Sequence, residues 1–240
     1  MAPHADPPRR ALVTGSSSGI GAAVAARLLS EGWQVHGLDR TEATLAHPGF
    51  TTHRLDLTDH IATREAVARL HDAAPLQALV HAAGLLRTAP LGALRDHAED
   101  AAAMWQLHVD TATLLADLLL PPMVRAGRGR AVFIGSRVWR GLAGRSQYAA
   151  TKAALLSLAR SWAAEVVHTG VTVNVVSPAA TDTPMLADPA RSSSAPRLPP
   201  IGRLIRPAEV AALVSFLLGP DAAAITGQDI AVCGGASLPR

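Results

Sequence analysis

Short apolar runs punctuate the chain at residues 11–14, 34–38, 78–81, 130–134 and 171–176. Longer stretches with apolar residues at helical spacing lie near 20–31, 60–73, 99–126, 146–168 and 207–218. Short runs with so few polar interruptions read as strands buried on both faces. Strands that alternate with helices need right-handed crossovers, which build a parallel sheet covered on both sides. The pattern therefore predicts an α/β, doubly wound parallel sheet in three layers, α/β/α, forming one domain over residues 10–240. Residues 1–9 are Pro-rich, lack the apolar stretch of a signal peptide, and read as a flexible tail. Residues 185–206 break the alternation with four prolines and the run Ser192-Ser-Ser194. A patternless stretch of that length inside a compact domain reads as a lid or binding loop.

Composition narrows the picture. Of the 240 residues, 49% are apolar but only 3% aromatic, so Ala, Val and Leu must build the core. A single cysteine, Cys233, excludes an internal disulfide and points to a reducing compartment, hence a cytoplasmic location. The most apolar helical run, 114–120, is interrupted by Asp117 and ends in Pro121-Pro122, well short of a membrane span. Net charge is +3, yet the arginines are spread along the chain. The tightest group, Arg125, Arg128 and Arg130, falls at a helix-to-strand turn, so no nucleic-acid partner is expected.

Candidate chemistry begins where the first strand runs into Thr14-Gly-Ser-Ser-Ser-Gly-Ile-Gly21. Gly15, Gly19 and Gly21 permit a tight turn and close approach, and the following helix offers free N–H groups to a pyrophosphate. No Gly-Lys-Ser/Thr closes the turn, so a dinucleotide rather than a nucleoside triphosphate is expected on a Rossmann-like sheet. Asp39 stands eighteen residues after Gly21, at the end of the second strand. A carboxylate there suits the ribose hydroxyls of NAD and repels the extra phosphate of NADP. Arg40 beside it is the competing feature. Asp56-Leu57 is expected to close the third strand and reach the adenine, with a helix-capping aspartate as the alternative.

The only tyrosine and the only lysine stand four apart, in Tyr148-Ala-Ala-Thr-Lys152. On a helix that spacing places both on one face. A free phenol, with a pKa near ~10, is a poor base at neutral pH unless a nearby cation stabilises its phenolate. Every other basic residue is arginine, and a compact ammonium fits where a guanidinium fork does not.

With these motifs in order, residues 9–238 resemble the short-chain dehydrogenase/reductase family in its single-domain branch. The carriers are Thr14-Gly-x-x-x-Gly-Ile-Gly21, Ser136 twelve residues before Tyr148, Tyr148-x-x-x-Lys152, Asn174-Val-Val-Ser-Pro178 through Thr183, and Thr226-Gly-Gln-Asp-Ile230 with Gly234-Gly235 as the last strand. His81-Ala-Ala-Gly84 resembles the family's Asn-Asn-Ala-Gly turn without its asparagines, and Ala179 replaces a usual glycine. The resemblance implies hydride transfer between a nicotinamide and a secondary alcohol or ketone, with no metal. Ser136 would orient the substrate oxygen, Tyr148 act as acid and base, and Lys152 hold the ribose and lower the tyrosine pKa. It also implies cofactor contacts from Ser17, Ser18, Ile20, Leu57, Ala82, Ala83, Gly84, Pro178, Ala179, Thr181 and Thr183. The family's relay asparagine is missing, because the only asparagine is Asn174. Counting back from Pro121-Pro-Met123 places His108 in its role, with a helix-filling histidine as the alternative. The substrate pocket is expected from Ser136, Val138, Trp139, Leu86 and Met185, with Arg87, Arg137 and Arg140 close in sequence. An uncharged alcohol or ketone is the default substrate. Similarity to 3-oxoacyl-carrier-protein reductases and to dihydrodiol dehydrogenases leaves its identity open, and a dinucleotide sensor without turnover is the competing class. The family also implies a homotetramer built on helices 99–126 and 146–168, although core burial explains the same Ala and Leu positions.

Overall fold

The computed structural model describes residues 8–188 and 197–238; the first seven residues of the tail and residues 189–196 of the expected lid lie outside them. Seven parallel strands form one sheet: β1 Arg10–Thr14, β2 Gln34–Asp39, β3 Phe50–Arg54, β4 Ala78–His81, β5 Gly129–Ile134, β6 Val171–Pro178 and β7 Asp229–Val232. Their order is β3-β2-β1-β4-β5-β6-β7, so the chain reverses direction across the sheet between β1 and β4. That is the Rossmann-like arrangement the alternation predicts.

The unbroken apolar runs are explained by two cores. Leu12, Leu79, Ala131, Phe133, Val173 and Val175 point to one face. There they meet α2 (His60–Ala73), α4 (Thr111–Arg125) and α5 (Ser146–Val166). The alternate residues Ala11, Val13, Ala78, Val80, Val132 and Val176 meet α1 (Gly19–Ser30) and α6 (Pro207–Leu218) on the other. With both faces dry, the period-two strand needs an apolar residue at nearly every position.

Three sequence expectations need correction. Strand β3 ends at Arg54, so Asp56-Leu57 does not close it. Asp56 instead accepts hydrogen bonds from the Thr58 amide (2.9 Å) and hydroxyl (2.7 Å) in a turn, while Leu57 is buried in the core and Asp59 caps α2. The predicted helix 99–126 is divided: α3 (Ala98–Trp105) passes through a π-helical segment, Gln106–Asp110, into α4. Nor does α4 stop at Pro121-Pro122. It continues to Arg125, because Leu119, Leu120 and Met123 are locked into the core and outweigh the lost backbone hydrogen bonds. The resulting 28-residue run, Ala98–Arg125, is long and apolar enough to cross a bilayer by length and composition. Half of its most apolar 18-residue stretch is buried within the domain, as in the core helix of a globular protein.

Candidate active site

All the predicted chemistry emerges at the carboxyl ends of the strands, around the β1/β4 reversal, where doubly wound sheets bind ligands. After β1 the chain turns through Gly15 at φ 67° and Gly19 at φ 54°, both left-handed. A Cβ on Gly21 would lie 2.1 Å from the Gly15 carbonyl oxygen, so only glycine lets α1 start this close to β1. Ser18 caps α1 without a side-chain hydrogen bond, and no acidic residue occupies the first turn. The helix N-terminus is therefore left to receive an anion. Ser17 and Ile20 lie on the same loop, and Thr183 packs against Gly19, a Cβ on which would be 3.1 Å from the threonine methyl. The Asp39 carboxylate closes the loop from β2, accepting from the Ser17 amide (3.0 Å) and the Thr41 amide (3.0 Å). Arg40 is exposed just beyond it. These residues fit a dinucleotide: a glycine cradle, an uncapped helix end and a carboxylate in one arc.

A crevice of about 780 Å³ opens beside this loop. Ile20, Ala82, Gly84, Pro178, Ala179, Thr181 and Thr183 line one side, and Ser136, Tyr148, Lys152, Leu86, Val138 and Met185 the other. Helix α5 carries Tyr148 and Lys152 on one buried face, 7% and 4% exposed. The Lys152 Nζ lies 5.8 Å from the tyrosine ring centroid and donates to the Ile134 carbonyl at the end of β5 (3.0 Å). Burial lowers its pKa from 10.5 to about 7. Ser136 follows β5, and its Oγ accepts from the Val138 amide at 3.3 Å, which leaves the hydroxyl proton for a substrate oxygen.

Two buried histidines frame this centre. His81, at the end of β4, donates from Nε2 to the Leu107 carbonyl (3.2 Å) inside the π segment and accepts at Nδ1 from Thr14 Oγ1 (2.9 Å). Thr14 Oγ1 in turn accepts from the amides of Ala82 (3.1 Å) and Ala83 (3.2 Å). His108, fully buried, accepts at Nε2 from the Leu85 amide (3.0 Å). Its Nδ1 donates to Thr151 Oγ1 (2.9 Å), whose own proton goes to the Tyr148 carbonyl (2.9 Å). Burial, followed by the nearby Lys152 charge, keeps both imidazoles neutral, with His81 at about 3 and His108 well below its ordinary value. Both His108 nitrogens thus have protein partners. It stands edge-on to the Tyr148 ring at 5.7 Å between centroids, and its two hydrogen bonds tie the Leu85 backbone to the helix that carries Tyr148.

Trp139 also departs from expectation. It turns from the crevice toward β7, where its indole donates to Asp229 (2.9 Å) and its ring lies under the Arg140 guanidinium. Of the arginines near the pocket, Arg87 is paired with Asp100 and Asp188, whereas Arg137 lines the crevice. The hydrogen-bonding of Thr14 and Thr151 and the place of Arg145, which lines the crevice at 9% exposure, were not read from the sequence. Thr151 was findable in principle, since it precedes Lys152 on the helix that presents Tyr148. Thr14 and Arg145 act through contacts with no spacing signature.

A doubly wound sheet with a glycine-loop cradle, and a phenol and ammonium on one crevice, defines a nicotinamide-dinucleotide oxidoreductase. The chain belongs to the short-chain dehydrogenase/reductase family. The sequence profile of the family described as Enoyl-(Acyl carrier protein) reductase matches residues 15–237. The chain is 36% identical over 235 residues to the 3-oxoacyl-[acyl-carrier-protein] reductase MabA of Mycobacterium bovis, covering 96% of this chain and 93% of that one. It is 33% identical to the 3-oxoacyl-[acyl-carrier-protein] reductase FabG of Vibrio cholerae, with 94% and 96% covered. Among solved structures, a tryptophan-substituted variant of the actinorhodin polyketide ketoreductase with NADPH superposes at a TM-score of 0.87 with 28% identity, covering 97% of this chain and 98% of that one.

Proposed function

We propose that this protein interconverts a secondary alcohol and a ketone with NAD, using Tyr148 as acid and base. The observation that carries this is the buried Tyr148 and Lys152 pair sharing the crevice with Ser136 and bordering the glycine loop. Bound there, the nicotinamide ring supplies the acceptor or donor of hydride. Ser136 donates to the substrate oxygen and orients it. Tyr148 takes the hydroxyl proton in oxidation and returns a proton to the ketone oxygen in reduction. Lys152 keeps one N–H on the Ile134 carbonyl and offers the others to ribose hydroxyls. Its positive charge lowers the cost of the phenolate. Support for NAD is Asp39, held by two amides where a 2′-phosphate would meet its charge. The ketoreductase named above was solved with NADPH, so Arg40 is the competing determinant. Similarity to MabA and FabG supports a 3-oxoacyl thioester among the ketones. Residues 185–206 act as a lid, a role supported by Met185, Leu186, Leu198 and Pro199 on the crevice wall. A cytoplasmic homotetramer completes the proposal, supported by the lone Cys233 and by Ala150, Ala153, Ala154 and Leu158, which α5 leaves outside the core.

The test is Tyr148→Phe. It should abolish turnover of alcohols, diols and 3-oxoacyl thioesters while leaving dinucleotide binding measurable by fluorescence titration. Retained turnover overturns the assignment of the base. Rates with NAD and NADP at matched concentrations decide the cofactor, and a preference for NADP would assign control to Arg40.

A further inference from the structure

We infer that the substrate is an oxo acid or hydroxy acid, and that Arg137 binds its carboxylate. The inference rests on the oxidoreductase reading of the crevice. Arg137 is half-buried, lines the crevice, and has no hydrogen-bond or ion-pair partner among the described residues. The other candidate guanidiniums nearby are engaged: Arg87 by two carboxylates, Arg140 by the Trp139 ring. Arg145 and Arg197 also line the crevice, and no Asp or Glu among the described residues does. The crevice is therefore cationic over apolar walls, the environment that favours an anionic ligand carrying a hydrocarbon body.

The dinucleotide's phosphates do not explain this charge. They are received at the start of α1, after β1, whereas Arg137 leaves β5, two strands away in the order β1-β4-β5. At about 4.8 Å per strand that separation is on the order of 10 Å. Arg137 instead follows Ser136 directly, and both line the crevice, so an anion on Arg137 shares that crevice with the oxygen held by Ser136. The anion that fits this charge beside the reacting oxygen is a carboxylate of the reacting molecule.

The test compares 4-oxo-4-phenylbutanoate with its methyl ester, using the full-length enzyme and saturating dinucleotide. The wild type should prefer the acid in kcat/KM. Arg137→Gln should raise KM for the acid about ten- to a hundredfold, the worth of one charge-assisted hydrogen bond, with kcat little changed. The ester should shift less than about twofold by the same logic. Arg137→Lys should restore part of the acid preference, and equal melting temperatures guard against misfolding. Equal effects of Arg137→Gln on acid and ester overturn the inference. Should neither ketone be reduced, the oxidoreductase reading is judged by the Tyr148→Phe screen over alcohols, diols and thioesters, and calorimetric binding of 4-phenylbutanoate against 4-phenylbutanamide decides the present inference. Tighter binding of the acid that disappears in Arg137→Gln sustains the inference; equal binding of the two refutes it.

Discussion

Replacing Lys152 with methionine isolates the electrostatic cost of holding an ammonium inside the active site. Burial moves this group from 10.5 to about 7, a difference of roughly 3.5 units, each worth ~1.4 kcal/mol. Below pH 7 both the native and the unfolded chain hold the proton, and the native state carries the full penalty, roughly 5 kcal/mol. From pH 7 to 10.5 only the unfolded chain keeps it, so stability rises with pH across that window. Between about pH 7 and pH 9 the rise amounts to roughly 2 kcal/mol. Methionine retains the apolar stem but leaves the Ile134 carbonyl without its donor, a loss of ~1–3 kcal/mol. The dinucleotide-free variant should therefore be more stable than wild type by roughly 2–4 kcal/mol at about pH 6. That advantage should shrink as pH rises toward 9, while turnover is lost. Urea denaturation at four pH values, with unchanged m-values, reads both quantities. The wild-type-minus-variant difference cancels the titrating groups that do not interact with Lys152, while His81 and His108, both depressed by its charge, stay neutral from pH 7 to 9. A variant less stable than wild type at low pH, or a difference independent of pH, would refute the claim that this ammonium is held against its solvation.

The remaining predictions concern the frame around that centre. Gly21→Ala drives a methyl group into the Gly15 carbonyl oxygen, so dinucleotide affinity measured by titration should fall by about tenfold or more, and the melting temperature should drop. His108→Leu strands the Leu85 amide and removes the donor to the Thr151 oxygen, which keeps its bond to the Tyr148 carbonyl, and should cost roughly 1–3 kcal/mol in denaturation. His108→Asn should recover part of that loss, because an amide can accept and donate; full stability in the leucine variant would show the two bonds to be dispensable. Trp139→Phe removes the bond to Asp229 and should lower stability by about 1 kcal/mol without changing ketone KM. An altered KM would return Trp139 to the substrate wall.

Much of the architecture is legible in the pattern of residues because a parallel sheet buried on both faces demands unbroken apolar runs, and covering helices demand a 3.6-residue stripe. The glycine loop and the Tyr148 and Lys152 spacing are equally local: they depend on backbone freedom and on one helical turn, both set by neighbours in the chain. Tertiary packing decided the rest. Pro121 and Pro122 lie inside α4 because the core holds the leucines around them, and no local propensity reports that support. The π segment has no sequence signature, yet its widened turn presents the Leu107 carbonyl to His81 and sets His108 between Leu85 and Thr151. What His108 ties together depends on partners 23 and 43 residues away in sequence. The same holds for the arginines. Arg87, Arg137 and Arg140 are alike in the chain, and only folding pairs one with carboxylates, lays one on an indole, and leaves the third facing the crevice. Chain neighbours dictate local geometry through sterics, whereas solvation and charge partners are properties of the assembled interior.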